Sequence, residues 1–300
     1  MLSDFKIFLM EFTTVYICVL YYAVMIILDN HMHLRRDGRY IEAVKEFKMA
    51  GGTHLILCHM PMVDEVLKNK SYMPSYQKTL DMAEEASNAT DVKIFVTVGP
   101  YPADYLALNK KFGREKAKEI MFRGMEEAQH LCNEGMAIAI GEIGRPHFEV
   151  DKQAWDDSNE ILSYGMKLAK EAGVAVVLHT ESMGSDGFNE IAEMADRAGI
   201  ERGKVVKHFS PPLITREENH GIFPSVLATE KAIREAIKKG NRFFMETDYI
   251  DDPRRPGAVL GLKTVPKRVK KLMAEGVMSE EDVYKIHKEN AEQVYGISME

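Results

Sequence analysis

Cysteine is scarce in this chain of 300 residues, and the three present, Cys18, Cys58 and Cys132, stand far apart. That spacing excludes a disulfide framework and a CxxC redox or zinc site, and it fits a reducing cytoplasm. Positive charge is not in excess either. A formal net charge of −7 argues against a protein that coats nucleic acid, because such domains are usually basic. No glycine-rich GxGxxG follows the first apolar run, which counts against a dinucleotide-binding fold. Long uncharged runs are also missing, apart from Phe12 to Leu28. That stretch is about the lower limit for a membrane-spanning helix. Its front, Leu2-Ser3-Asp4-Phe5-Lys6, lacks the basic cluster of a signal peptide.

The segment Met25–Leu28 reads as the first core strand, and removing it leaves Phe12–Val24 too short to span a bilayer. Residues 1–24 are therefore read as an N-terminal extension outside the main domain, with Met25 as an alternative start. A membrane anchor is the competing reading for those residues. Residues 25–300 then form one domain, near the size of a (β/α)8 barrel, which takes about 250 residues.

What is present begins with Leu28-Asp29-Asn30-His31-Met32-His33. An apolar run ends in two histidines one residue apart. In extended backbone they share a side, so His31 and His33 can face one centre. Further along, short apolar runs alternate with helical spacing. His54–Cys58, Val92–Val98, Met136–Ile140, Val174–Leu178, Lys204–Lys207, Gly221–Leu227 and Arg242–Thr247 read as strands. Tyr40–Ala50, Tyr76–Ala89, Glu115–Glu134, Gln153–Ala172, Gly187–Ala198, Thr229–Lys239, Val265–Glu275 and Glu280–Val294 read as helices. Such alternation implies an α/β fold with a parallel sheet, and eight units favour a closed TIM-type (β/α)8 barrel.

Polar residues follow the ends of these strands. His31 and His33 follow strand 1, Glu142 strand 4, His179 strand 5, His208 strand 6 and Asp248 strand 8. Strand ends of a barrel converge on one mouth, so four histidines and two carboxylates there can hold one or two divalent metal ions. Zn suits the histidines, whereas Mg and Mn also suit the carboxylates. Taken singly, each histidine is more simply an ordinary buried one.

At this point the residues resemble the TatD-type metal-dependent hydrolases of the amidohydrolase superfamily. Leu28–Leu34, Gly141-Glu142-Ile143-Gly144, Leu178-His179, His208-Phe209-Ser210 and Glu246-Thr247-Asp248 carry the resemblance, with Val96–Gly99 and Asn290-Ala291-Glu292 in support. It implies that His31 and His33 hold one ion, Glu142 bridges, and His179 and His208 hold a second. Asp248 would bind metal and accept the proton of the attacking water, making Asp248 and Glu142 the catalytic carboxylates. The implied activity is hydrolysis of phosphodiester bonds, as in a nuclease. Hydrolysis of a small amide, lactone or phosphoester is the alternative, and a non-catalytic metal- or ligand-binding barrel is a further one. Expected partners are a small-molecule or nucleic-acid substrate, without a membrane.

The chain also departs from the family pattern. Arg145-Pro146-His147 stands where many members have Leu-Asp, and Glu181 replaces the arginine of His-x-Arg. An arginine there would be a natural phosphate contact, whereas a glutamate repels phosphate. Arg254 and Arg255 beyond Asp248, together with Arg145 and His147, are the candidate substrate contacts. Solvated Asp–Arg pairs are the plainer reading of the Arg254–Arg255 loop. The basic run Lys267–Lys271 reads as a solvated helix face.

Overall fold

The computed structural model describes residues 25–255 and 258–300. The extension at residues 1–24 therefore lies outside the described residues. Nine parallel strands form one sheet: β1 (Leu28–His33), β2 (His54–Cys58), β3 (Lys93–Val98), β4 (Ala139–Gly144), β5 (Ala175–His179), β6 (Val205–Ser210), β7 (Phe223–Leu227), β8 (Phe244–Glu246) and β9 (Tyr249–Ile250). They pair in chain order from β1 to β8, with β9 on the far side of β1. The strands β8 and β9 are two halves of one broken strand, separated by Thr247 and Asp248. The first half pairs with β7 and the second with β1. The sheet thus curls into a TIM-type barrel with helices outside.

Side-chain alternation explains the layers. On β2, Leu55 and Leu57 face the surrounding helices, whereas Ile56 and Cys58 face the barrel interior. The interior is filled by Leu28, Ile56, Val177, Val206 and Phe244. Tyr295 and Met299 from the C-terminal segment pack into the same cluster. Gly141 is required by close approach, because a Cβ there would lie 2.6 Å from Val177 Cβ.

Several element boundaries differ from those read in the sequence. The first strand begins at Leu28 rather than Met25 and ends at His33, so both histidines stand at its end. The Gly141–Gly144 motif lies inside β4 rather than after it. The last helical stretch is interrupted by a π-helical turn at Lys285–Glu289, and the helix Asp104–Phe112 has no counterpart in the reading. Thr229 caps its helix, accepting from Ala232 N. Among the described residues, no helix is long and apolar enough to cross a membrane.

Closure of the ring rests on Asp29. Its carboxylate accepts from Thr247 N at 3.0 Å and from Thr247 Oγ1 at 2.7 Å, and Asp248 N donates to His31 O at 3.0 Å. Asp29→Ala removes the acceptor of three buried donors, Thr247 N, Thr247 Oγ1 and His31 N, and should destabilise the fold by about 2–4 kcal/mol in urea denaturation. Thr247→Val should cost less, about 1–2 kcal/mol, because the backbone bond survives.

Asp104, at the start of an unanticipated helix, is a second buried carboxyl. Burial pushes it up to about 7, against one hydrogen bond from Tyr72 Oη at 3.2 Å. The folded state therefore prefers the protonated form, and stability falls as pH rises from the ordinary 3.8 toward about 7. Asp104→Asn removes this dependence. It should exceed the wild type by about 1–3 kcal/mol at pH 8 and by little at pH 4. Urea titrations at both pH values check the difference; equal gains at both would remove the buried-charge explanation.

Candidate metal centre

Three strands change register where they carry polar residues. The shifts fall between Asp29 and Met32 on β1, Gly141 and Ile143 on β4, and Lys207 and Ser210 on β6. Bulges of this kind bend a strand and re-aim its side chains. Here they flank His31, Glu142 and His208. Asp248 is aimed by a different device. Its φ of 49° lies in the left-handed region, sparsely populated by non-glycine residues, and it splits the eighth strand.

The result is a buried cluster at the C-terminal end of the barrel. His31 Nε2 lies 3.2 Å from His33 Nε2, 3.5 Å from Glu142 Oε1 and 3.9 Å from Asp248 Oδ1. His33 Nε2 lies 3.5 Å from Glu142 Oε2 and 3.7 Å from Asp248 Oδ1. His208 Nε2 is 3.5 Å from Glu142 Oε1. Two overlapping ligand sets emerge, His31–His33–Asp248 and His31–Glu142–His208. Glu142 thus reaches both lobes of the cluster with its two oxygens. His179 joins differently: its Nδ1 lies 3.1 Å from Glu142 Oε1, while its Nε2 faces His147 Nδ1 at 2.9 Å and Tyr101 Oη at 3.2 Å.

The donor set fits a divalent cation. Imidazoles bind metal when neutral, and burial holds His33 and His208 down near 4. Burial works against an ionised Glu142, but the His31 charge and the other histidines outweigh it and hold the carboxyl well below its ordinary value. Burial raises Asp248 to about 8, with neighbouring carboxylates adding to the shift. A cation between these groups would favour its ionised form.

The ligands are themselves oriented. Glu246 Oε1 lies 2.9 Å from His208 Nδ1 and also accepts from Phe209 N at 2.8 Å. Ser225 Oγ donates to Glu246 Oε2 at 2.5 Å, and Asn30 Nδ2 donates to Ser225 Oγ at 3.0 Å. Cys58 serves both histidines of β1, with Sγ 3.2 Å from His31 Nδ1 and its carbonyl oxygen 3.1 Å from His33 Nδ1.

The candidate substrate contacts are placed otherwise than the sequence suggests. Arg145 does not face the mouth; it is fully buried. Its guanidinium donates to Glu181 at 2.5 and 3.1 Å and to Glu190 at 2.7 Å, and it stacks 4.4 Å from the Trp155 ring. Glu181 is thereby neutralised from within the chain. Arg254 and Arg255 are exposed and pair with Asp252 at 3.1 and 3.3 Å, the plainer of the two readings. His147 does reach the cluster, through His179.

Sequence reasoning passed over the groups beside these ligands. Phe148 and Phe209 are about half exposed, and their rings lie 5.2 Å from His147 and 5.8 Å from His208. With Tyr101, 4.9 Å from His179, they form an aromatic collar. Both phenylalanines directly follow a histidine in the sequence, the one signal available for them. Cys58 and Glu246 gave only their strand-end positions.

The comparisons with known proteins agree with the fold. A family model described as TatD related DNase matches residues 28–296. An uncharacterized protein of Methanocaldococcus jannaschii is 41% identical over 277 residues, spanning 91% of this chain and 97% of that protein. Among solved structures, a TatD homolog from Escherichia coli aligns with a TM-score of 0.61 at 18% identity, covering 90% of this chain and 98% of that one. A variant of a PTE-like lactonase from Deinococcus radiodurans aligns with a TM-score of 0.60 at 14% identity, over 91% and 95% of the two chains. At these identities the structural likenesses establish the fold.

Cys58→Ala removes the thiol beside His31 and keeps the carbonyl beside His33. Loss of such a supporting contact typically costs 10–100-fold in metal affinity. Chelator competition should show a fall of about tenfold or more; an unchanged dissociation constant would mean that Cys58 does not orient His31.

Proposed function

Because the chain belongs to the TatD-related DNase family, we propose that it is a metal-dependent hydrolase acting on an ester-type bond of a small substrate with an apolar or aromatic group. That bond is a phosphoester or a carboxylic ester or lactone. The aromatic collar of Tyr101, Phe148 and Phe209 beside His179 and His208 carries this reading. The arginines anticipated as phosphate contacts are already neutralised by Glu181, Glu190 and Asp252.

The residues suited to hold metal are His31, His33, Glu142, His208 and Asp248, with His179 beside Glu142. A divalent ion held there supplies Lewis-acid charge that brings the pKa of water from 15.7 toward about 7. Asp248 stands at the rim of the cluster, within 4 Å of both β1 histidines and less buried than Glu142. It is positioned to take the proton of the attacking water, a role typically worth 10²–10⁴-fold. Glu142, held ionised among four imidazoles, supplies negative charge at the centre of the cluster and keeps the rings oriented. Phe148 and Phe209 give the leaving or acyl portion of the substrate an apolar surface and exclude water from it.

A second reading, cleavage of nucleic-acid phosphodiesters, is favoured by the description of the matched family. Exposed aromatic faces also stack on bases, at about 1–3 kcal/mol each. Against it stand the arginines after β4 and β9, which are paired with carboxylates among the described residues, whereas a nucleic-acid backbone is usually followed by a cationic groove.

The test is a panel of aryl phosphoesters, aryl esters, lactones and single-stranded DNA, assayed with Mg²⁺, Mn²⁺ or Zn²⁺. Small substrates should turn over with higher kcat/KM than DNA. Asp248→Asn should lower kcat by about 10²–10⁴-fold. Phe209→Ala should raise KM for aryl substrates about tenfold, the effect of losing roughly 1.4 kcal/mol of apolar contact. Preferential DNA cleavage would favour the second reading, and activity that survives both His31→Ala and Asp248→Asn would overturn the assigned site.

A further inference from the structure

The opposite end of the barrel carries a second concave site. A cavity of ≈ 550 Å³ opens where β6, β7 and β8 begin, and its walls include Arg202, Arg216, His220, Arg242, Glu201 and Gln293. Its volume falls in the range of small-molecule pockets, about 300–1,000 Å³. The metal ligands His208 and Asp248 lie toward the other ends of the same strands, so the two sites do not share residues.

The charges on this wall are unevenly satisfied. Arg202 is spent, pairing with Asp196 at 2.6 Å and donating to the His220 carbonyl at 2.9 Å. Arg242 donates to two carbonyls, Ile222 O at 3.1 Å and Gly221 O at 2.7 Å, and stacks 4.6 Å over the Phe223 ring. These contacts fix its plane and use two of its five N–H groups. Among the described residues, neither Arg242 nor Arg216 pairs with a carboxylate. Arg216 is exposed and makes no hydrogen bond among the described residues. Arg242 is largely buried, and its guanidinium is pushed down to about 10 by burial and by the nearby charge of Arg216. Two guanidinium groups brought together without a counter-ion repel each other, and an oxyanion between them removes that cost. Planar N–H forks suit the oxygens of a phosphate group bidentately. Glu201 and Gln293, on the same wall, have side chains with no hydrogen-bond partner among the described residues, open to hydroxyls.

We infer that this cavity is a binding site for a small phosphate monoester bearing hydroxyl groups, such as a nucleoside monophosphate or a sugar phosphate. Arg216 and Arg242 hold the phosphate, while Glu201 and Gln293 meet the hydroxyls. Its position, at the barrel end remote from the metal centre, makes it a site for an effector rather than for the bond being cleaved.

Calorimetric titration with AMP, inorganic phosphate and adenosine tests the assignment on the full chain. AMP should bind once per chain, and inorganic phosphate should compete with it while adenosine does not. The Kd for AMP should be the same before and after metal is removed with a chelator, which separates this site from the metal centre. Arg216→Ala, a change of an exposed side chain, should weaken AMP at least tenfold and leave the thermal unfolding midpoint unchanged. Arg242→Lys should weaken it as well, because a point charge replaces the planar fork. The inference is overturned if AMP does not bind saturably, if its binding disappears with the metal, or if Arg216→Ala binds AMP as the wild type does. A glucose 6-phosphate arm distinguishes a sugar phosphate from a nucleotide as the tighter ligand. None of these outcomes depends on which ester the metal centre hydrolyses.

Discussion

Asp29 joins the first strand of the barrel to the last. The last strand cannot run straight, because Asp248 takes a left-handed backbone conformation that ends one ladder and starts another. Its first half stays with β7 and its second half crosses to β1. The gap is bridged by Asp29, which satisfies both the backbone N–H and the hydroxyl of Thr247. This carboxylate closes the ring and, in doing so, sets the position of the functional groups on either side of it. Asp29 lies two residues before His31, and Thr247 lies immediately before Asp248. A loss of pairing at the seam would therefore separate His31 and His33 from Asp248, the contacts that make one of the two ligand sets.

The same economy governs charge around the site. Within the cluster, Glu142 gathers His31, His33, His179 and His208 about its two oxygens. Outside it, Arg145 is withdrawn from the mouth by Glu181, Glu190 and the Trp155 face. A buried guanidinium without carboxylates would be costly, so the arginine after β4 and the glutamate after β5 are best understood as one unit. The departures from the family pattern at these two places compensate each other. They leave the mouth lined by rings, with its arginines committed. An apolar collar over a polar metal centre favours a substrate that offers one hydrolysable group and an apolar remainder. At the other end of the barrel, by contrast, Arg216 and Arg242 line a cavity with no carboxylate partner among the described residues.

Much of this arrangement was legible in the sequence because its signals are local. Apolar runs alternating with helical spacing indicate a parallel α/β barrel, as helices must cover both the rise and the return of each crossover. Residues placed just beyond such runs must converge if the barrel closes, which is why His31, His33, Glu142, His208 and Asp248 could be grouped before any distance was known. His31 and His33 needed only the two-residue period of a strand. What tertiary structure alone decided was direction and pairing. No local rule reveals that Arg145 turns inward, since its partners Glu181 and Glu190 come from other elements. Nor does sequence spacing reveal that His179 approaches Glu142 with Nδ1 and gives Nε2 to His147 and Tyr101, or that Cys58 lies against His31. The split of the eighth strand was equally hidden, because nothing after Arg242–Thr247 marks Tyr249–Ile250 as a second short strand until closure demands a partner for β1. Local pattern is enough to gather His31, His33, Glu142, His179, His208 and Asp248 at the ends of strands; which of their atoms meet, and what stands beside them, follows from the folded chain, because it depends on contacts between strands far apart in the chain.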